Sequence, residues 1–249
     1  MSRLEQVAQG LEARLPGKVR RELPFAELTT YRLGGPAAVL VQVTSAADLG
    51  ALAGVLTEEV PLLVVGRGSN LLVADEGFAG VAVTLEGDLA GFRIEAGGVV
   101  AGGGLALPVL ARRSAAIGLT GLEFFVGIPG SVGGAVRMNA GGHGRETVEV
   151  LSRAWLADLA GSGTPEEYAP GDLGLGYRRS RLAPAQVVLA AEFRAVTDDA
   201  AACEARIDDV VRWRRANQPG GSNAGSVFTN PPGDSAGRLI DACGLKGLR

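Results

Sequence analysis

Only two of the 249 residues are cysteine, Cys203 and Cys243. Two isolated thiols supply neither a disulfide framework nor a zinc-ligand spacing, and a reducing, cytoplasmic setting is expected. There is no excess of base either: 24 Lys and Arg stand against 27 Asp and Glu, for a formal net charge of −3. That balance argues against nucleic acid as a partner. The one local basic cluster, Arg212, Arg214 and Arg215, reads as a solvated helix face or a small-anion site. No apolar stretch approaches the roughly 18 residues of a membrane span, so no membrane partner is expected. Glu5 and Glu12 interrupt the N-terminus, which excludes a secretory signal pattern. Aromatic residues make up only 5% of the chain against a hydrophobic total of 47%. Ala, Val, Leu and Gly therefore carry the packing. No internal repeat is visible, and no Gly-x-x-x-x-Gly-Lys-Ser/Thr run exists, which excludes a P-loop.

Glycine, by contrast, is abundant and clustered. Residues 121–142 hold seven: Gly121, Gly127, Gly130, Gly133, Gly134, Gly141 and Gly142. Glycine is costly to order, so such a cluster serves backbone that turns at positive φ or presses against a ligand without a Cβ in the way. Its neighbours here are apolar and nearly uncharged, which suits a flat, partly apolar ligand; a buried turn is the alternative. A second polar glycine loop, Gly66-Arg67-Gly68-Ser69-Asn70, follows the apolar run Leu62–Val65 and precedes Leu71-Leu72-Val73. The expected parse is strand, tight loop, strand. The loop is either a hairpin turn or an anion-binding nest suited to a diphosphate. It is not a dinucleotide fingerprint, because Leu71 stands where the third glycine would be needed.

The rest of the chain reads as α+β without regular βαβ alternation. Leu4, Val7, Leu11 and Leu15 repeat at helical spacing until Pro16-Gly17 stops them. Ser45 and Asp48 form a capping box for a helix expected to run to about Thr57. Strands are expected over residues 37–43, 61–65, 81–85, 91–95, 98–101, 150–157 and 187–194. Helices are expected over 105–117, with Pro108 in its first turn, and over 198–216, with a last helix capped by Ser235 and ended by Gly244.

Five segments, in order, resemble the UDP-N-acetylenolpyruvoylglucosamine reductase family: residues 29–36 (Thr-Thr-Tyr-Arg-Leu-Gly-Gly-Pro), 66–72, 121–142, 176–180 (Gly-Tyr-Arg-Arg-Ser) and 223–231 (Asn-Ala-Gly-Ser-Val-Phe-Thr-Asn-Pro). The resemblance implies a two-part FAD-binding module of the PCMH or vanillyl-alcohol-oxidase type, in residues 1–85 and 86–196, then a smaller substrate domain in 197–249. It implies FAD and NADPH as cofactors and UDP-N-acetylglucosamine enolpyruvate as substrate, in a monomeric enzyme. The expected FAD-binding residues are Gly66, Arg67, Gly68, Ser69, Asn70 and Leu71 in the first loop. In the second block they are Gly127, Ile128, Pro129, Gly130, Ser131, Gly133, Gly134, Ala135, Asn139, Ala140 and Gly141.

The implied reaction has two halves: NADPH reduces the flavin, then hydride passes to C3 of the enolpyruvyl group, and negative charge develops at C2 and the carboxylate. Arg178 matches the family's catalytic arginine, and a guanidinium grips a carboxylate bidentately. Ser226 matches the proton donor, with Gly225 permitting close approach and Asn230 as its orienting partner. The expected substrate-binding set is Tyr177, Arg178, Ser226 and Asn230. No metal is expected. Thr229 stands where many relatives carry lysine, and the lone histidine, His143, is expected to be non-catalytic. The family's pattern continues past Gly-Leu-Lys-Gly-Leu-Arg249 to a catalytic glutamate. The sequence alone therefore leads one to expect an incomplete substrate domain with poor turnover. The alternative is a relative that binds FAD and nucleotide sugar without catalysis.

Overall fold

The computed structural model describes residues 1–95, 98–218, 221 and 228–248. The chain opens with helix α1 (Arg3–Arg14), whose N-terminus is capped by the Ser2 hydroxyl accepting from the Glu5 N–H. Strands β1 (Val19–Pro24) and β2 (Pro36–Val43) pair antiparallel. Helix α2 (Ala46–Ala53) then crosses to β3 (Leu62–Val65), and β4 (Phe78–Leu85) inserts between β2 and β3, parallel to both. The sheet order is β1-β2-β4-β3. Side-chain alternation divides the strands between two cores. Val39, Val41, Val43, Val81 and Val83 bury under α1 and α2. Leu40, Ala82 and Val65 bury on the other face with Leu23 and Phe25.

Two expectations change here. The helix after Ser45 ends at Ala53, with Gly54 as its C-cap, four residues before Thr57. The Leu71–Val73 run is not a strand. Because β3 and β4 are parallel, the intervening residues form a crossover and not a hairpin. Leu71 and Val73 pack down onto the second core while Leu72 is exposed. Apolar residues two apart thus cover a sheet face here without joining the ladder.

The second unit is an antiparallel sheet. Strands β5 (Phe92–Glu95) and β6 (Gly98–Gly102) precede helix α3 (Leu107–Ala116) and the short strand β7 (Leu119–Thr120). A 3-10 turn at Glu123–Gly127 leads to α4 (Val132–Met138). The hairpin β8 (Gly141–Gly142) and β9 (Arg145–Glu146) and the one-turn helix α5 (Thr147–Val150) follow. The long strands β10 (Leu151–Asp158) and β12 (Gln186–Arg194) complete the sheet with β11 (Pro165–Tyr168), in the order β11-β10-β12-β6-β5. Strand β11 was not expected from its sequence, Pro-Glu-Glu-Tyr, which is an exposed edge with no apolar alternation.

After β13 (Val196–Thr197), helix α6 (Ala200–Asn217) packs its Cys203 and Ile207 into the same core as Leu110, Phe125 and Phe193. The expected break at residue 197 therefore falls inside a continuous core. Helix α7 (Ala236–Ala242) buries no residue. The two sheets are joined by apolar packing. Ala157, Leu159, Val187 and Leu189, from the end of the β10–β12 pair, lie in the core formed with α1, α2, β2 and β4.

Candidate functional site

The two glycine-rich segments come together at the junction of the sheets. The Ser69 hydroxyl donates to the Pro129 carbonyl at 2.8 Å. A Cβ at Gly66 would lie 2.4 Å from the Ser131 Oγ, so the absent side chain is what lets the segments close. Residues 130–133 are held rigidly against β6 and the start of α3. Leu107 N–H donates to Gly130 O at 3.0 Å, Val132 N–H to Leu105 O at 2.9 Å, and Gly133 N–H to Gly103 O at 2.8 Å. Ser131 is the N-cap of α4, its buried hydroxyl accepting from the Gly134 N–H. A site mounted on packed elements keeps its geometry better than one on free loops.

Not every glycine of the two segments faces this junction. Gly68 has φ +59, and a Cβ there would stand 2.0 Å from the Leu28 carbonyl oxygen. Thr30 N–H also donates to Gly68 O at 3.1 Å, so the loop is clasped by residues 28–30. A Cβ at Gly133 would meet Gly103 O at 3.2 Å and Val188 O at 3.3 Å. Gly127 lies against the His143 ring, and Gly141 against the Arg145 carbonyl of its own hairpin. Gly66, Arg67, Asn70, Pro129 and Gly134 remain exposed. At Gly134 a Cβ would meet nothing closer than the Ser131 Oγ at 3.4 Å. Leu71, Ile128 and Ala135 turn toward the cores.

Asn139 is 1% exposed and takes the left-handed conformation at the end of α4, with φ 41. Its Nδ2 donates to Glu146 Oε2 at 2.8 Å and to Gly176 O at 3.3 Å, and its Oδ1 accepts from Val148 N–H at 2.9 Å. The carboxamide expected to meet a cofactor is spent inside the protein. The Ala140 carbonyl is likewise engaged, by the Thr147 N–H and hydroxyl.

Gly176 and Arg179 exchange both backbone hydrogen bonds at 3.1 Å, leaving Tyr177 and Arg178 at the tip of a tight turn. Arg178 has φ 55 and lies over the Tyr177 ring at 5.4 Å. Its Nη2 donates to Gly141 O at 3.2 Å, which brings the expected catalytic arginine to the edge of the glycine block. Its remaining N–H groups sit on an exposed side chain. Asn230 is exposed, and its Oδ1 accepts from Ala236 N–H at 3.0 Å, at the start of α7. Ser226 lies outside the described residues.

Helix α6 braces the block from behind. Glu123 receives the Thr120 hydroxyl at 2.7 Å, Gly121 N–H at 2.7 Å and Arg206 Nε at 2.9 Å. Burial pushes the Glu123 carboxyl up, but the Thr120 hydroxyl, the backbone N–H groups and Arg206 outweigh it and hold it below the usual carboxylate range. His143 meets Trp213 edge to face at 5.0 Å, and burial together with the Arg214 charge holds its imidazole below its ordinary value. Its ring packs between Gly127 and α6. Sequence reasoning missed the Glu123–Arg206 brace, which joins residues 83 apart and leaves no local signal. Among the described residues no cluster of His, Cys, Asp and Glu could hold a metal ion.

Residues 37–159 match the FAD binding domain family, and residues 217–249 match the family described as UDP-N-acetylenolpyruvoylglucosamine reductase, C-terminal domain. The chain is 43% identical to UDP-N-acetylenolpyruvoylglucosamine reductase of Acidiphilium cryptum, over 93% of its own length and 75% of the relative's. It is also 43% identical to UDP-N-acetylenolpyruvoylglucosamine reductase 2 of Symbiobacterium thermophilum, over 94% and 76% of the two lengths. The chain thus spans about three quarters of these relatives. The crystal structure of UDP-N-acetylenolpyruvylglucosamine reductase from Thermus caldophilus superposes with a TM-score of 0.81 at 38% identity, covering 93% of this chain and 82% of that one. A berberine bridge enzyme variant superposes with a TM-score of 0.54 at 12% identity, covering 78% of this chain and 44% of that one. That second likeness concerns the fold alone.

Proposed function

The chain belongs to the UDP-N-acetylenolpyruvoylglucosamine reductase family, and on that premise we propose how its own residues serve the reaction. The reaction is the FAD-dependent reduction of UDP-N-acetylglucosamine enolpyruvate to UDP-N-acetylmuramate with NADPH, in peptidoglycan precursor synthesis. Nothing in the comparisons favours a binding protein without turnover. When bound, FAD supplies the two-electron relay between NADPH and the enol ether, and one proton is consumed in the net reaction.

The residues present fit that cofactor. Gly66, Arg67 and Asn70 of one segment and Pro129 and Gly134 of the other are exposed, the segments are joined by the Ser69–Pro129 hydrogen bond, and a Cβ at Gly134 would meet nothing closer than the Ser131 Oγ at 3.4 Å. We assign the cofactor's diphosphate to the 66–70 loop, whose N–H groups and Arg67 suit an anion, and its ring system to the less polar 129–134 edge. Arg178 holds the substrate carboxylate and stays charged as density builds there. Tyr177 supports the guanidinium from below. Ser226, outside the described residues, is assigned as the donor of the proton that completes C2.

We place the boundaries of the three parts at about residues 85 and 217. Support comes from the burial of Cys203 and Ile207 of α6 in the second core and from the start of the C-terminal family match. A cytoplasmic monomer without nucleic-acid or membrane partners is the setting we propose. The net charge of −3 supports the absence of a nucleic-acid partner, and no helix among the described residues is long and apolar enough to cross a membrane.

The observation that carries the site assignment is the closure of the two glycine segments through Ser69 and Pro129, with Arg178 tethered at Gly141. The test is anaerobic stopped flow. NADPH should bleach the flavin absorbance, and the enol ether should restore it. Arg178→Ala and Ser226→Ala should slow only the restoration, by roughly 10²–10⁴-fold for the proton donor. Restoration at the wild-type rate in both variants would overturn the assignment.

A further inference from the structure

We propose that Asn139 is a positioning residue that fixes the Tyr177–Arg178 turn against the glycine-rich block. This rests on the reading of Arg178 as the carboxylate-binding group.

Among the described residues two hydrogen bonds tether the turn to the block. One is made by Arg178 itself, through Nη2 to Gly141 O at 3.2 Å. It is exposed, and it competes with any carboxylate that the guanidinium engages. The other is the Asn139 Nδ2 donation to Gly176 O at 3.3 Å, one residue before Tyr177 and 37 residues away in sequence. That tether is part-buried, made by a side chain whose residue is 1% exposed, and it does not use the Arg178 guanidinium. Asn139 is suited to it in three ways. Its side-chain N–H groups are both committed, to Glu146 Oε2 and Gly176 O, so the amide has one orientation. Its Oδ1 accepts from Val148 N–H, which anchors it to the start of α5. Its left-handed backbone, φ 41, is a conformation that asparagine tolerates better than most residues. The carboxamide thus joins the end of α4, the 141–146 hairpin and the 176–179 turn at one point. While Arg178 is occupied by substrate, Asn139 keeps the turn in register. Misplacement of a reacting group by about 1 Å is enough to cost on the order of 10²-fold in rate.

The experiment compares Asn139→Gly, Arg178→Ala and the double variant in the two anaerobic half-reactions. Glycine keeps the left-handed backbone and removes the side chain with its carboxamide. The expected result for Asn139→Gly is retained FAD, with flavin reoxidation by the enol ether slowed about 10–100-fold. In the Arg178→Ala background the same change should add almost nothing, because a group that acts through Arg178 has no effect once Arg178 is gone. Wild-type reoxidation in Asn139→Gly, or an effect that adds in full to that of Arg178→Ala, would overturn the proposal. Wild-type reoxidation in Arg178→Ala alone would instead overturn the reading of Arg178, so the two failures are told apart. If Asn139→Gly does not retain FAD, Glu146→Ala, which removes the acceptor that orients the amide, is read by the same criteria.

Discussion

At the scale of single residues, what matters most is the room that a missing side chain makes. Gly68 is the sharpest case. A β-branched side chain there would be strained by φ +59, and its Cβ would stand 2.0 Å from the Leu28 carbonyl. Gly68→Val is therefore expected to lower stability by at least about 1–3 kcal/mol from backbone strain alone, and to push residues 28–30 away from the loop. The check is a lower thermal midpoint together with a reduced flavin-to-protein ratio after purification. From the sequence, Gly68 reads as space for a ligand; the structure gives that space to Leu28. Asn139 reads as a ligand contact and is spent on Glu146, Gly176 and Val148. The polar loop and the apolar glycine block are both legible in the sequence. Which neighbour each glycine admits is not, because Leu28 lies 40 residues from Gly68 and comes close only once the sheet has formed.

At the scale of elements, local chemistry is the legible part. The capping box of α2 is present as the pattern of Ser45 and Asp48 requires, and Asp48 does more than cap. Its carboxylate also takes Lys18 Nζ at 2.7 Å and the Thr44 N–H at 2.7 Å, which ties β1 to the start of α2. Burial pushes this carboxyl up, but Lys18 and Thr44 outweigh it and hold it at about 2. A carboxyl depressed in the folded state stabilises fully above its ordinary pKa near 3.8 and loses that contribution as the pH falls toward 2. Asp48→Asn should therefore cost about 2 kcal/mol at neutral pH. Its deficit relative to wild type should shrink as urea unfolding is repeated at pH values from about 5 to about 3. A deficit independent of pH would assign the loss to geometry and not to charge. Strand β11 and the non-strand run Leu71–Val73 were illegible for opposite reasons. The first joins a sheet edge without an apolar pattern, and the second carries an apolar pattern that covers a sheet without joining it.

At the scale of the whole molecule, the two sheets share one apolar core, and that has a consequence for the order in which the chain is made. The first sheet, with α1 and α2, is complete in sequence by residue 85. Part of its hydrophobic cover comes from Ala157, Leu159, Val187 and Leu189, about a hundred residues later in the chain at its farthest. During synthesis the N-terminal unit therefore emerges with part of the apolar face under α1 and α2 still uncovered, and contacts this distant form late. Expressed alone, residues 1–85 should bind a hydrophobic dye and precipitate, whereas a chain that continues through β12 at Arg194 should gain solubility. The half-built protein is thus a natural client for a chaperone at the ribosome until β12 arrives.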